Sequence, residues 1–134
     1  MTALVSSLPT EGVTFLLTDI EGSTRAWQAA PEAMTAPVAR HYEILDEAID
    51  AHHGQRPEEQ GEGDSIVAVF RSATDAVAAA LAAQQQLLRE LPTLSVRMAL
   101  HSGDAMLRNE HNYVGLTIIR CARIRACGHG RQIL

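Results

Sequence analysis

Two aspartates stand at the tips of apolar, strand-like runs and are the residues best placed to do chemistry. Asp19 follows the run at residues 13–18, and Asp64 comes just before the run at residues 65–70. An ionised carboxylate at the tip of a buried strand is costly unless a cation neutralises it. Magnesium suits such a place because it binds through few carboxylates and leaves positions for phosphate and water. If both tips lie at one edge of a sheet, the carboxylates can share two divalent ions and support an in-line displacement at phosphorus.

Each aspartate also has a purely structural interpretation. Asp19 can act as a helix-capping acid and Asp64 as a turn acid, and position alone favours neither role over the chemical one. Gly22, Ser23 and Thr24 follow Asp19 closely, and their hydroxyls can cap a helix that starts there. This arrangement predicts backbone N–H groups and a positive helix end beside Asp19, which together form a cradle for phosphate oxygens.

The first half of the chain predicts the elements that position these residues. The continuous apolar run at residues 13–19 is typical of a central strand covered on both faces. A short helix follows, Pro31 breaks it, and Pro37 marks the first turn of a second helix. The polar, glycine-rich residues 55–63 lead into the strand at residues 65–70, which predicts a hairpin. Asp64 is therefore expected beside the tip of this hairpin.

The second half alternates helices and strands in the same way. Ser72 and Asp75 form a capping pair for a helix that ends at Pro92. A strand is predicted at residues 94–101 and a last helix at residues 115–127, with short strands before and after that helix. The predicted order β-α-α-β-β-α-β-β-α-β indicates an α+β fold with a mixed, mainly antiparallel sheet and helices packed mainly on one face.

Composition limits the class of protein. The chain has 134 residues, of which 46% are hydrophobic, and a net charge of -5. This predicts a loose arm at residues 1–11 and one domain at residues 12–134. The negative charge argues against direct contact with nucleic acid, and no run is long enough for a membrane span. Cys121 and Cys127 lack the spacing and partners of a zinc site, so we expect reduced thiols and a cytoplasmic location.

Three stretches carry a resemblance to a known family. VTFLLTDIEGST, EEQGEGDSIVAVF and NYVGLTIIRCARIRACGHGRQIL, in this order, resemble the catalytic domain of class III adenylyl/guanylyl cyclases. The likeness is strongest to bacterial domains found with LuxR-type transcription regulators, which implies a regulatory domain or protein as a possible partner. It also implies a ferredoxin-like βαββαβ core. The resemblance covers roughly residues 13–134 and stops before the strand and helix that usually follow, which implies a domain truncated at its C-terminal end.

The resemblance implies an active site for the conversion of ATP, or alternatively GTP, to the cyclic nucleotide and pyrophosphate. It assigns two Mg²⁺ or Mn²⁺ ions to Asp19, Asp64 and the carbonyl of Ile20. Family members read the base with a lysine and an acidic residue, and those positions hold Gln60 and Asn112 here. An amide carries both a donor and an acceptor, so this pair is expected to accept adenine but to reject guanine less sharply.

The catalytic helix of the family carries an asparagine four residues before an arginine. Arg123 keeps the arginine, which neutralises charge on the phosphate, but Ile119 stands at the asparagine position. Losing one preorganised polar group typically lowers the rate by about 10²–10³, so we expect very low turnover. The neighbouring Ile118 is interpreted as a core residue, and Arg120 and Arg125 as solvated or interface residues.

The resemblance further implies a homodimer, in which the metal aspartates of one chain face Gln60, Asn112 and Arg123 of the other. The sequence leaves two other functions open. One is a catalytically inactive homologue that senses nucleotide or mediates dimerisation for a partner domain. The other, more distant, is a phospho-accepting receiver domain, which the strand-end aspartate fits but for which no suitably placed lysine exists.

Overall fold

The computed structural model describes residues 7–57 and 63–134. The predicted α+β class is confirmed, and most of the predicted elements are present. In chain order the elements are β1 (Val13–Ile20), α1 (Ser23–Ala29), α2 (Pro31–Ala51), β2 (Ile66–Phe70), α3 (Ala73–Glu90), β3 (Val96–Gly103), β4 (Met106–Leu107), β5 (Tyr113–Val114) and α4 (Leu116–Cys127).

The main sheet has the order β2-β1-β3, and both pairings are antiparallel. Strand β1 is central and covered on both faces, which explains why its sequence is continuously apolar instead of alternating. Among the described residues of the predicted hairpin arm, Gln55 forms an antiparallel bridge with Val69, and the predicted last strand is represented by a parallel bridge between Met98 and Ile133. The hairpin tip, including Gln60, lies outside the described residues.

Alternate residues of β1 face two separate cores. Leu16 and Ile20 pack with α2 and α3 on one face, together with part of α1. Phe15 and Leu17 pack on the other face, together with Cys121 of α4. The prediction that helices lie mainly on one face therefore holds for α1, α2 and α3, whereas α4 covers the opposite face.

The break predicted at Pro31 is present, because α1 ends at Ala29, but the role predicted for Pro37 is wrong. Pro31 is itself the first residue of α2, where its missing N–H costs nothing because the first turn has no helical acceptor. Ala30 alone separates α1 from α2. Pro37 lies inside α2 and not in its first turn. Thr35 donates its hydroxyl to the Pro31 carbonyl at 3.1 Å in the turn that precedes Pro37.

The predicted hydroxyl cap of α1 is also wrong. Gly22 is the N-cap residue, and within the described chain no side chain caps this helix. Gly22 adopts a φ of 71°, in the left-handed region, which glycine adopts readily and residues with a side chain rarely adopt. The tight turn after β1 therefore depends on backbone conformation and not on a side-chain hydrogen bond.

The last residues of the predicted N-terminal arm are packed against the domain. Pro9 is buried, and its carbonyl accepts a hydrogen bond of 2.6 Å from the Tyr113 hydroxyl. The Ala105 N–H donates to the Thr10 carbonyl at 2.7 Å. Leu8 packs against the core beneath α4. These contacts attach residues 8–10 to the fold, in contrast to the loose arm predicted for this stretch.

Candidate active site

Strand register brings the two aspartates to one edge of the main sheet. Because Thr18 pairs with Ile66 in antiparallel register, Ile20 lies level with the position of Asp64. The Ile20 N–H donates to Asp64 Oδ1 over 3.5 Å, a long hydrogen bond. Asp19 is the residue immediately before Ile20, so the two aspartates belong to the same edge of the sheet, the corner at which β1 ends.

Asp19 is held by two arginines. Arg97 is its direct cross-strand neighbour on β3, and its guanidinium donates to both carboxylate oxygens, from Nε to Oδ1 at 2.8 Å and from Nη2 to Oδ2 at 2.5 Å. Arg125 of α4 places its Nε 3.6 Å from Asp19 Oδ2 and donates from Nη1 to the Thr18 carbonyl at 3.1 Å. The Asp19 side chain is 15% exposed, so this cluster is only partly screened by water.

The charges of the corner act together on Arg97. Its hydrogen bond to Asp19, followed by the charges of Asp19, Glu21 and Asp64, raises the pKa of Arg97 above its ordinary range. Arg97 is therefore a permanent cation that is bound to Asp19. The interpretation of Arg125 as a solvated or interface residue is wrong, because its side chain turns inward to Asp19 and Thr18.

Asp64 has a different environment from Asp19. Its second oxygen, Oδ2, is buried and has no hydrogen-bond partner in the described part of the chain. Such an acceptor is rare in folded proteins and requires an explanation. A divalent cation provides one, because it binds carboxylate oxygens and compensates the buried charge. The two aspartates thus differ as metal ligands: Asp64 fits a cation as it stands, while both oxygens of Asp19 already bind arginine.

No group of three or more His, Cys, Asp or Glu residues that could hold a metal occurs among residues 7–57 and 63–134. A site at this corner would therefore rest on aspartates and backbone carbonyls. That donor set consists of oxygens only and suits magnesium or manganese better than zinc or copper.

A cleft of about 730 Å³ opens beside Asp64. This volume is within the usual range of small-molecule sites. The Tyr42 hydroxyl donates to the Gly63 carbonyl at 2.5 Å and fixes the segment that carries Asp64. The residues that line the cleft come from α1, α2 and this segment: Ser23, Thr24, Trp27, Thr35, Val38, Ala39, Tyr42, Gly63, Asp64 and Ser65. Ser23 and Thr24, which were expected beside Asp19, thus line a cleft together with Asp64.

Helix α4 presents the predicted catalytic positions to solvent. Ile119 is 44% exposed, and Arg123, one turn further on, is exposed as well. Ile118 packs against the core beneath α4, as predicted. Of the arginines on this helix, it is Arg125 that contacts Asp19 in the described structure.

Of the two predicted base-reading residues, Asn112 is described by the structure and Gln60 is not. Asn112 is only 4% exposed, and its N–H donates to Asn109 Oδ1 at 3.1 Å in the loop that joins β4 to β5. Its side-chain Nδ2 lies 3.5 Å from the same oxygen. Gln60 lies outside the described residues. Within one chain, Asp64 therefore shares a cleft with Ser23 and Thr24, Asp19 contacts Arg97 and Arg125, and Arg123 lies on the exposed side of α4.

Comparison with known proteins gives a consistent family. The model of the adenylate and guanylate cyclase catalytic domain matches residues 5–133. An uncharacterised protein of Mycobacterium tuberculosis is 45% identical over 131 residues, which cover 97% of this chain and 45% of that protein. An adenylate cyclase of Podospora anserina is 29% identical over 153 residues, which cover 93% of this chain and 7% of that protein.

A solved structure shows the same fold. The adenylate cyclase of Trypanosoma brucei in its monomeric state superposes with a TM-score of 0.84 at 25% identity, covering 96% of this chain and 74% of that chain. The present chain spans less than half the length of the mycobacterial relatives that it matches. None of the helices in the described part of the chain combines the length and the apolar character that crossing a bilayer requires.

Proposed function

The chain belongs to the adenylate and guanylate cyclase catalytic domain family, and from this premise we propose that it is a nucleotidyl cyclase domain of low turnover. The proposed reaction converts ATP to cyclic AMP and pyrophosphate by attack of the ribose 3'-hydroxyl on the α-phosphate. The observation that carries the proposal is the position of Asp64 beside Ile20, the residue that follows Asp19 at the end of β1, next to a cleft that Ser23 and Thr24 also line.

The residues of this corner take different roles in the proposal. Divalent ions, when bound, lower the pKa of the attacking hydroxyl and neutralise phosphate charge. The resemblance assigns two such ions, Mg²⁺ or Mn²⁺, to Asp19, Asp64 and the Ile20 carbonyl. Ser23 and Thr24 would orient phosphate oxygens in the cleft, close to the turn formed by Gly22. These groups hold and align the triphosphate, so that the hydroxyl lies in line with the leaving pyrophosphate.

The proposal includes a homodimer in the cytoplasm. Four neighbouring apolar side chains are exposed at β4, β5 and the start of α4, and exposed apolar patches of this kind mark interaction sites. They are Met106, Val114, Leu116 and Ile119, with exposed fractions of 65%, 37%, 64% and 44%. A second copy that covers this patch would bring its Arg123 to the aspartates of the first, where the guanidinium stabilises charge that develops on the phosphate.

The residues at the base-reading positions favour loose selection between ATP and GTP. The amides of Gln60 and Asn112 replace a charged pair, so ATP is favoured but GTP is not strongly excluded. Asn112 is buried and hydrogen-bonded to Asn109, which restricts the direction in which its amide can point. Ile119, at the asparagine position, offers no hydrogen bond to the ribose, which is the reason for the low turnover.

The test is a cyclic-nucleotide assay by mass spectrometry with MnATP and, separately, MnGTP. The wild type is expected to form product, and Asp64→Asn is expected to lower the rate by about tenfold or more because the cation loses its ligand. Asp50→Asn is the matched control, since Asp50 is an exposed aspartate of α2. Equal rates for wild type and Asp64→Asn, or no product from the wild type, would refute the enzymatic proposal.

A second candidate is an inactive homologue that senses nucleotide or mediates dimerisation for a regulatory partner, such as a LuxR-type regulator. Two observations favour it: Ile119 replaces the asparagine, and Asp19 is already neutralised by Arg97 and Arg125. Calorimetry with a non-hydrolysable ATP analogue separates the two versions of this candidate. Binding without turnover supports a sensor, and absence of binding supports a dimerisation module.

A further inference from the structure

We propose that this chain operates its site with a single divalent cation held by Asp64, and that Arg97 and Arg125 take the place of the second cation on Asp19. The inference rests on the proposed function and deepens it. It departs from the two ions that the resemblance assigns. It follows from the unequal environments of the two aspartates and from the position of Arg125.

Both carboxylate oxygens of Asp19 are already bound by arginine. Arg97 binds both of them, through Nε and Nη2, in the parallel two-bond geometry that makes arginine–carboxylate pairs strong. Arg125 adds a third nitrogen at 3.6 Å from Oδ2. An incoming cation would have to displace these contacts and would also meet two positive charges. With Asp19 at 15% exposure and both arginines at 24% or less, water screens this repulsion only in part.

The two arginines also supply the positive charge that a second cation would bring to Asp19. Two guanidinium groups together carry the same positive charge as one divalent cation, so the corner already has the charge that a second ion would supply. Both groups are fixed in position: Arg97 by its bonds to Asp19, and Arg125 also by its bond to the Thr18 carbonyl at 3.1 Å. Because fixed charges of this kind need no reorganisation when a polyanion arrives, they can replace the ion electrostatically.

Asp64, unlike Asp19, has a buried oxygen without a partner in the described structure. Among the described residues, no hydrogen bond or ion pair joins either arginine to Asp64, and the buried oxygen without a partner is Asp64 Oδ2. The Ile20 N–H is 3.5 Å from the other oxygen and compensates the charge only weakly. One cation at Oδ2 would satisfy this oxygen. The same corner thus contains one aspartate that is saturated and one that is not.

Electron paramagnetic resonance of Mn²⁺, titrated into the full chain without nucleotide, tests the inference by counting bound ions. The wild type is expected to bind one Mn²⁺ per chain. Asp64→Asn is expected to weaken this binding by about tenfold or more, and Asp19→Asn to change it by less than about twofold. Two ions in the wild type, no ion, or equal losses in the two aspartate variants would overturn the inference.

Removal of the arginines provides the second arm. The double variant Arg97→Met/Arg125→Met is expected to bind two Mn²⁺ ions, because Asp19 becomes available. Arg108→Met/Arg120→Met removes the same charge from two exposed arginines and is expected to bind one. A single ion in both double variants would overturn the role given to the arginines. Should the first double variant fail to fold, the comparison of Asp19→Asn with Asp64→Asn still decides.

The ion count tests the single-ion site, and the cyclic-nucleotide assay tests the enzymatic function, so either proposal can be refuted without the other. A chain that binds one ion through Asp64 and makes no cyclic nucleotide supports the single-ion site and refutes the enzymatic function. A chain that makes cyclic nucleotide and binds two ions overturns the inference alone.

Discussion

Restoring the asparagine at residue 119 is the sharpest perturbation of the proposed enzyme. Ile119→Asn is expected to raise the rate of cyclic-nucleotide formation, because an amide would again face the ribose one helical turn before Arg123. A single preorganised hydrogen-bond donor in such a site is worth about 10²–10³ in rate, or about 2.7–4 kcal/mol of barrier. The gain should appear mainly in kcat, since the interaction strengthens in the transition state.

The structure indicates that the fold tolerates this substitution. Ile119 is 44% exposed, so its removal leaves no cavity, and isoleucine and asparagine have similar helix propensities. The free energy of unfolding is therefore expected to change by less than about 0.5 kcal/mol. A change in rate can then be attributed to the site and not to a loss of folded protein.

The assay measures cyclic AMP by mass spectrometry at saturating MnATP, with urea unfolding and sedimentation recorded for each variant. Leu116→Asn is the matched control, because it makes an equally polar change at a 64% exposed position of the same helix. It is expected to give no gain. Were Ile119→Asn no faster than the wild type, or were Leu116→Asn equally fast, the argument from the missing asparagine would be refuted.

Three further predictions concern the fold. Burial raises the pKa of the Cys121 thiol to about 12, so iodoacetamide at pH 8 is expected to label the exposed Cys127 and to leave Cys121 unmodified; mass mapping checks this. Gly54→Ala would place Cβ 2.6 Å from the Phe70 ring and should lower the free energy of unfolding by about 1–3 kcal/mol in urea, an effect that Gly54→Ala/Phe70→Leu should reduce. Burial lowers the pKa of His41 from its ordinary 6.5, so the unfolded state binds the proton more readily. The contribution of this pKa difference to the free energy of unfolding is complete above about pH 6.5 and is lost as the pH falls below that value. The urea midpoint of His41→Leu should therefore fall less than that of the wild type between about pH 7 and pH 5.

The parts of the fold that could be predicted from the sequence depend on local pattern. The apolar run that ends at Asp19 predicted β1, and the Ser72–Asp75 pair predicted the start of α3, where the Ser72 hydroxyl accepts from the Asp75 N–H at 3.2 Å. The glycine at residue 115 likewise predicted the start of α4. In each case the sequence signal lies within the element itself.

The parts that the sequence did not predict depend on pairing or on backbone context. Arg97 lies opposite Asp19 only because β1 and β3 adopt one particular register, and nothing near Arg97 in the sequence indicates this. Arg125 contacts the same residue from a different element. Pro37 lies inside α2, although a proline is more common in the first turn of a helix than in its interior.

Pro37 also makes α2 a helix of two unequal parts. A proline supplies no N–H, so the Ala33 carbonyl loses its usual donor, and the ring crowds that carbonyl. Beyond it, Leu45 and Ile49 fix the C-terminal part in the main core. The preceding turn, where Thr35 lines the cleft, is joined to this anchored part by fewer backbone hydrogen bonds. Bending therefore costs less here than elsewhere in α2, so the compliance of this helix is concentrated in the wall of the cleft.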